Sequence, residues 1–306
     1  MLEGVLRVSP EVRDALARNA PVVALESTLI AHGLPHGRNL EVAWRLEAEI
    51  RAGGAVPATV AVLDGAVAVG LTDAELERIA AGALKVSRLD LAVALARREV
   101  GATTVAATMI CAHAAGIRVF ATGGIGGVHR GHDRVLDVSA DLLELARTEV
   151  AVVCAGAKSV LDIPNTLEVL ETLGVPVIGY RTDRFPAFFT RDSGCPVHAS
   201  AASLAEIAEI LRLKWSCGLG GGAVVANPIP EADALDAEAL DAAVLEALAE
   251  AEHRGIRGKA VTPFLLARLV QATGGRSLEA NVALVLNNAR VAAGLAQELG
   301  ARSTRL

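Results

Sequence analysis

The chain's 306 residues, 52% of them hydrophobic, are enough for one large core and exclude a disordered protein. A formal net charge of −6 and only 3% aromatic residues exclude a basic, base-stacking surface for nucleic acid. Mean hydropathy is +0.43, yet alanine, valine and leucine are spread along the whole chain, and no uncharged apolar run reaches the roughly 18–20 residues of a membrane span. The first twenty residues, MLEGVLRVSPEVRDALARNA, carry acids and arginines throughout, unlike the apolar middle of a secretory signal. A cytoplasmic protein is therefore expected.

Short β-rich runs follow at 21–28, 57–65, 66–70, 103–109, 118–124, 150–156, 175–180 and 222–228, separated by helical patterns. Asp64-Gly65 between the second and third runs predicts a hairpin, so the sheet should be mixed, while the continuous apolar runs predict strands buried on both faces. Thr72 with Glu75 forms a capping box, Ser87 precedes a helical pattern, and Thr262-Pro263 marks an N-cap with proline at the first helical position. From Glu231 onward the pattern is entirely helical. With no linker, low-complexity tract or repeat, residues 1–306 are expected to form a single domain, a three-layer α/β/α sandwich around a mixed, mostly parallel sheet. The four cysteines lie far apart and predict reduced, buried thiols.

Ligands of open α/β sheets bind outside the carboxyl ends of the strands. The predicted strand exits carry Glu26-Ser27-Thr28, Thr108, Thr122-Gly123-Gly124, Gly156-Ala157-Lys158 and Asn227-Pro228. Ser27 and Thr108 read as well as turn or cap residues, but Glu26 and Lys158 are charges set at the ends of core strands, where burial demands a partner or a task. In ATGGIGGVHRGHDRVLDVSAD, Gly126 and Gly131 have P-loop spacing, but His132-Asp133 stands where Lys-Ser/Thr is required. A nucleoside triphosphate is not indicated. The glycines, with His129, Arg130 and His132, fit a small phosphate ester better. Asp137 and Asp141 flank Ser139, and two readings stand: a capped helix start, or Asp137 holding a hard divalent cation. Lys85, before another helix start, is a solvated lysine unless it shares a pocket with Lys158; there, mutual repulsion and desolvation would leave one amine neutral and nucleophilic. Asn281, on an apolar helix face, is either a satisfied core amide or a pocket-wall group.

The strings VVALESTLIAHGLP, AVPATVAVLDG, KVSRLDL, GATTVAATMICAHAAGIRVFATGGIGGVHRG, DVSADLLEL, VVCAGAKSVLDIPNTLEVLETLGVPVIGY, GGAVVANPIPE, TPFLLARL and TGGRSLEANVALVLNNA run collinearly from about Ser9 to the last helix. They resemble the pseudouridine-5′-phosphate glycosidase family, which includes the indigoidine synthase A-like proteins. The resemblance implies cleavage of the C–C glycosidic bond of pseudouridine 5′-phosphate to uracil and ribose 5-phosphate, a divalent metal, usually Mn2+, and a homotrimer. It implies that Lys158 is the nucleophile, Glu26 the proton donor and Asp137 the metal ligand. Lys85, Val105, Ser139, Ala140 and Asp141 match substrate contacts, and Asn281 matches a polar pocket residue. The segment 184–200 departs from the family after PAFF, so a lid or entrance role for it stays open. A sugar or nucleoside kinase on a related sandwich, or a sugar-phosphate-binding protein without catalysis, are the alternatives.

Overall fold

The computed structural model describes residues 2, 4–130, 137–256, 258 and 261–301. Among these, thirteen strands appear in chain order: β1 (Leu6–Val8), β2 (Val22–Leu25), β3 (Val56–Leu63), β4 (Ala66–Val69), β5 (Leu84–Val86), β6 (Gly101–Thr103), β7 (Val119–Ala121), β8 (Val128–His129), β9 (Ala151–Cys154), β10 (Leu161–Asp162), β11 (Val177–Tyr180), β12 (Ala199–Ala201) and β13 (Ala223–Ala226). Eleven of them make one sheet in the order β1-β4-β3-β2-β7-β9-β13-β11-β12, with β6 attached to β3 and β5 to β6; β8 and β10 pair separately. Every pairing from β3 through β2, β7, β9, β13 and β11 to β12 is parallel. The β3–β4 and β3–β6 pairings are antiparallel. The sheet is therefore mixed and mostly parallel, with helices on both sides.

The central strands are buried because their sequences leave them nothing to present to water: β2, β9 and β13 have every residue buried. The 26-residue helix Arg276–Ala301 packs on β2, β7 and β9, while helix Val105–Ala114 packs on β2 and β3. Each fully buried Val or Leu contributes about 1.5–3 kcal/mol of transfer free energy, so the sheet centre is a rigid base for whatever its strand ends carry.

The hairpin is where Asp64-Gly65 predicts it, both residues at positive φ between β3 and β4. The Thr72–Glu75 capping box is also formed. Three readings change. The run 103–109 is mostly helix, because β6 ends at Thr103 and Thr104 is the N-cap position of helix Val105–Ala114; a helix whose first five residues are all buried shows no polar face there, so its apolar run passes for a strand. Thr108 therefore sits on that helix, its hydroxyl 2.9 Å from that of Thr103, and not at a strand exit. Ser87 opens a turn, and the helix begins only at Leu91; Thr262 and Pro263 fall inside a helix that already runs at Val261. Of the cysteines, Cys111 and Cys154 are buried, and burial pushes both thiols up to about 12. Cys195 is half-buried at the edge of the core and Cys217 is exposed, so the expectation of buried thiols holds for two of the four.

The direction of β6 positions the site. Its residues Ala102 and Gly101 pair with Ala61 and Val62 of β3 in antiparallel register, whereas β2 pairs with Val56–Thr59 in parallel register. The carboxyl ends of β2 and β6 consequently meet head on. Ser27, just past β2, joins them: its hydroxyl donates to the Val60 carbonyl at 2.6 Å and accepts from the Thr103 amide at 2.8 Å. Because β5 runs parallel to β6, with Lys85 opposite Ala102, the same geometry delivers Lys85 to the crevice beyond β2, β7 and β9.

Candidate active site

Glu26 is the first residue past β2 and only 9% exposed. Its carboxylate accepts a hydrogen bond from the Thr122 hydroxyl, one residue past β7. The Thr122 carbonyl accepts from Asn288 Nδ2 at 2.8 Å, and Asn288 Oδ1 accepts from Asn227 Nδ2 at 2.9 Å. One buried network thus joins the ends of β2, β7 and β13 to the long C-terminal helix. Burial pushes the Glu26 carboxyl up; the Lys158 ammonium and the Thr122 hydrogen bond pull against it, Asp141 adds to it, and Lys85 opposes it. A carboxyl raised in this way can hold a proton and deliver it.

Lys158 follows β9 through a tight bend. Gly156 has φ +83°, and a Cβ there would lie 1.9 Å from the Pro186 carbonyl oxygen, so only glycine fits. Beyond the bend, the Lys158 amide donates to the Ile125 carbonyl at 3.2 Å and the Ile125 amide to Gly156 at 3.0 Å, which staples the lysine to the glycine-rich loop after β7. Lys158 is half-buried. Its charge and that of Lys85 both act on Glu26 and on His129, so the two lysines share one electrostatic site, the second of the two readings the sequence left for Lys85.

Asp141 does something the sequence did not disclose. Its carboxylate accepts from the Ala106 amide at 2.9 Å and the Gly126 amide at 2.8 Å, clamping the start of helix Val105–Ala114 to the glycine loop. Ser139 caps the following helix through the Asp141 amide at 3.2 Å, and Ala140 is that helix's first residue. Gly126 fits under this pair only because it lacks a Cβ, which would lie 2.3 Å from the Ser139 hydroxyl. Since the Thr104 amide also donates to the Val86 carbonyl at 2.9 Å, Lys85, Val105 and Ser139–Asp141 are gathered into one corner. Thr104 Oγ1, buried at the helix start, has no hydrogen-bond partner among the described residues, and neither does Asn281 Oδ1. Asn281 lies seven residues before Asn288, on the same helix face. Most buried polar atoms are paired; Thr104 Oγ1 and Asn281 Oδ1 are two of six unpartnered buried side-chain atoms among the described residues, and the first can accept from or donate to a ligand while the second can accept from one.

Asp137 is half-buried, with its carbonyl accepting from the His129 amide at 3.0 Å. Burial pulls the His129 imidazole down, the Asp137 carboxylate works against this, and the two lysines reinforce it. His129 is thereby a neutral donor or acceptor, not the cation the sequence allowed. Among the described residues no three His, Cys, Asp or Glu side chains gather as a metal cage, and His132 lies outside those residues. One carboxylate beside a neutral imidazole fits a hard cation that keeps most of its water.

The residues that sequence reasoning passed over are Asn288, Thr104 and the structural half of Asp141. Asn288 follows Asn281 at heptad spacing on an apolar helix, a usable signal; nothing local marked the other two. A cavity of about 860 Å3 opens at the amino ends of the strands beside Pro176, Val177 and Gly220, and neither Glu26 nor Lys158 lines it. Its lining is mostly apolar, and Glu168, Glu171, His198 and Lys214 are in it but none of the strand-exit residues is, so the convergence of Glu26, Lys85 and Lys158, and not concavity, locates the site.

A family model described as indigoidine synthase A-like protein matches residues 11–298. A pseudouridine-5′-phosphate glycosidase of Solibacter usitatus is 58% identical over 96% of this chain and 99% of its own. One of Methylobacterium nodulans is 59% identical over 98% and 90%. Among solved structures, the prealnumycin C-glycosynthase AlnA in complex with ribulose 5-phosphate superimposes with TM-score 0.91 at 44% identity, covering 98% of both chains. An indigoidine synthase A-like protein of Thermotoga maritima gives TM-score 0.89 at 36% identity, covering 97% of both.

Proposed function

The chain belongs to the indigoidine synthase A-like protein family, and from that premise we propose that it is a pseudouridine-5′-phosphate glycosidase acting in the cytoplasm. The observation that carries the reading is the pairing of Glu26, whose carboxyl is raised by burial, with Lys158 in one electrostatic site at adjoining strand ends. The 44% identical neighbour's complex with a pentulose phosphate supports a sugar phosphate as ligand. No feature of the described residues favours the kinase alternative.

The chemistry stems from what a carbon-linked base lacks: an electronegative atom to leave on. The Lys158 amine, in its neutral form, attacks C1′ of the ribose as Glu26 delivers a proton to the ring oxygen, so the C1′–O4′ bond breaks and the sugar opens. The nitrogen then loses a proton. Its lone pair forms the C1′=N bond as the C1′–C5 pair withdraws to uracil C5, which takes up a proton. Water hydrolyses the resulting iminium, freeing ribose 5-phosphate and regenerating the amine. Lys85, the unpartnered Thr104 hydroxyl, the backbone at Val105 and the Ser139–Asp141 helix start would bind the phosphate end, and Asn281 a hydroxyl or base edge.

Asp137 would hold Mn2+ or another divalent cation, which supplies fixed positive charge and ordered water. Uracil release from pseudouridine 5′-phosphate, followed by chromatography, is the direct test; no uracil from folded, metal-supplied protein would sink the proposal. In the same assay EDTA should suppress the rate and Mn2+ restore it, whereas full activity after verified metal removal would dismiss the cation. Exposed Leu84, Leu89 and Val93, at 52%, 81% and 46%, flank the Lys85 segment and support self-association to a trimer. Sedimentation equilibrium would reveal a monomer if that is wrong.

A further inference from the structure

Lys85 lies on β5, an edge strand whose one sheet partner is β6. Three residues of regular pairing hold a strand loosely, yet a phosphate contact has to be held to within a fraction of an ångström. The residues just after Lys85 supply the restraint. The chain turns at once, the Ser87 amide donating to the Asp90 carboxylate at 3.0 Å, and this turn presents Arg88 to the carboxylate of Glu144. Glu144 sits on helix Ala140–Leu145, three residues after Asp141 and so on the same helix face.

The pair is asymmetric. Glu144 has only 3% of its side chain exposed and Arg88 has 42%. The second Glu144 oxygen takes the Thr148 hydroxyl, so the buried carboxylate is satisfied at both oxygens, one of them by a cation from the Lys85 segment. The short helix thus holds two buried acids on one face. Asp141 fixes the start of helix Val105–Ala114 and the glycine loop; Glu144 fixes the turn behind Lys85. Neither the proposed bond cleavage nor the fold of the sheet centre requires the second of these.

We infer that Arg88 and Glu144 form a positioning pair that locks the Lys85 strand to the helix bearing Ser139 and Asp141, and that the pair sets affinity for the 5′-phosphate of the substrate and not the rate of bond cleavage. The inference rests on the reading of Lys85 as a substrate contact. In Glu144→Gln and Arg88→Ala, KM for pseudouridine 5′-phosphate and the calorimetric Kd for ribose 5-phosphate should both rise about tenfold, the loss of one charge-assisted contact, with kcat within about twofold. Arg88→Lys should recover most of the affinity.

Arg88→Ala leaves the Glu144 carboxylate buried without its cation and can unfold the protein; the double variant Arg88→Ala/Glu144→Gln removes both charges and carries the test in that event. It should be no weaker a binder than the Gln variant alone. Unchanged KM and Kd with a lowered Tm would make the pair merely structural and overturn the inference, as would a fall in kcat at constant KM. Should the wild-type protein release no uracil, the glycosidase reading fails, while ribose 5-phosphate binding still reports on the pair.

Discussion

Replacing Lys158 by alanine is expected to abolish turnover, with the rate falling on the order of 10^4- to 10^6-fold, the range seen when a covalent nucleophile is removed. The fold should survive. The Lys158 amide, which donates to Ile125, is kept by alanine, and the bend at Gly156 that aims the residue is untouched. Ribose 5-phosphate should still bind, because the corner that would take its phosphate is built from Lys85, Thr104 and the Ser139–Asp141 segment, none of which Lys158 positions. Borohydride added to wild-type protein with ribose 5-phosphate should leave a reduced sugar adduct on Lys158, found by peptide mass spectrometry, and the variant should show none. A variant that turns over at near-normal rate would remove Lys158 from the mechanism. One that neither binds nor folds would show that the ammonium is structural.

Those consequences depend on how the sheet delivers its strand ends, and that was only half legible in the sequence. The buried parallel strands announce themselves, since AVVC or AVVA has no polar position to alternate with. Their exits were legible for the same reason: Glu26, Thr122, Lys158 and Asn227 stand out against apolar runs. The reversal of β6 and β5 was not. Gly101–Thr103 and Leu84–Val86 are three-residue strands; the first takes its direction from pairing with β3 across some forty residues, the second from pairing with the first, and no local pattern encodes either. The buried helix Val105–Ala114 passed for a strand because every one of its first five residues is buried. The site shares this division. Which side chains are reactive could be read from residue type and position, while the clamps that gather them, Asp141 on two backbone amides and Asn288 on the Thr122 carbonyl, are long-range contacts visible only once the chain is folded.

Glu26→Gln is expected to separate catalysis from stability. The amide keeps an oxygen for the Thr122 hydroxyl but has no proton to give, so the rate should fall by about 10^2- to 10^4-fold. In the wild-type protein burial raises the carboxyl above the ordinary glutamate value of 4.5, and the protonated form is the one that acts. Activity governed by Glu26 should therefore be full at low pH and be lost as pH rises through that raised value; in the Gln variant this limb of the profile should vanish. The same shift fixes the sign of the stability effect. A carboxyl that binds its proton more tightly folded than unfolded contributes stability below about pH 4.5, and that contribution is lost as pH climbs through the folded value. At neutral pH the folded chain must either keep a proton on Glu26 or bury its charge, and glutamine needs neither. Calorimetry should thus give the inactive variant a higher Tm than wild type at neutral pH, with the gain shrinking toward pH 4.5. A lower Tm at neutral pH would mean that attraction to Lys158 and the Thr122 hydrogen bond outweigh desolvation, and Glu26 would then be an ordinary carboxylate, unfit to donate the proton that opens the sugar ring.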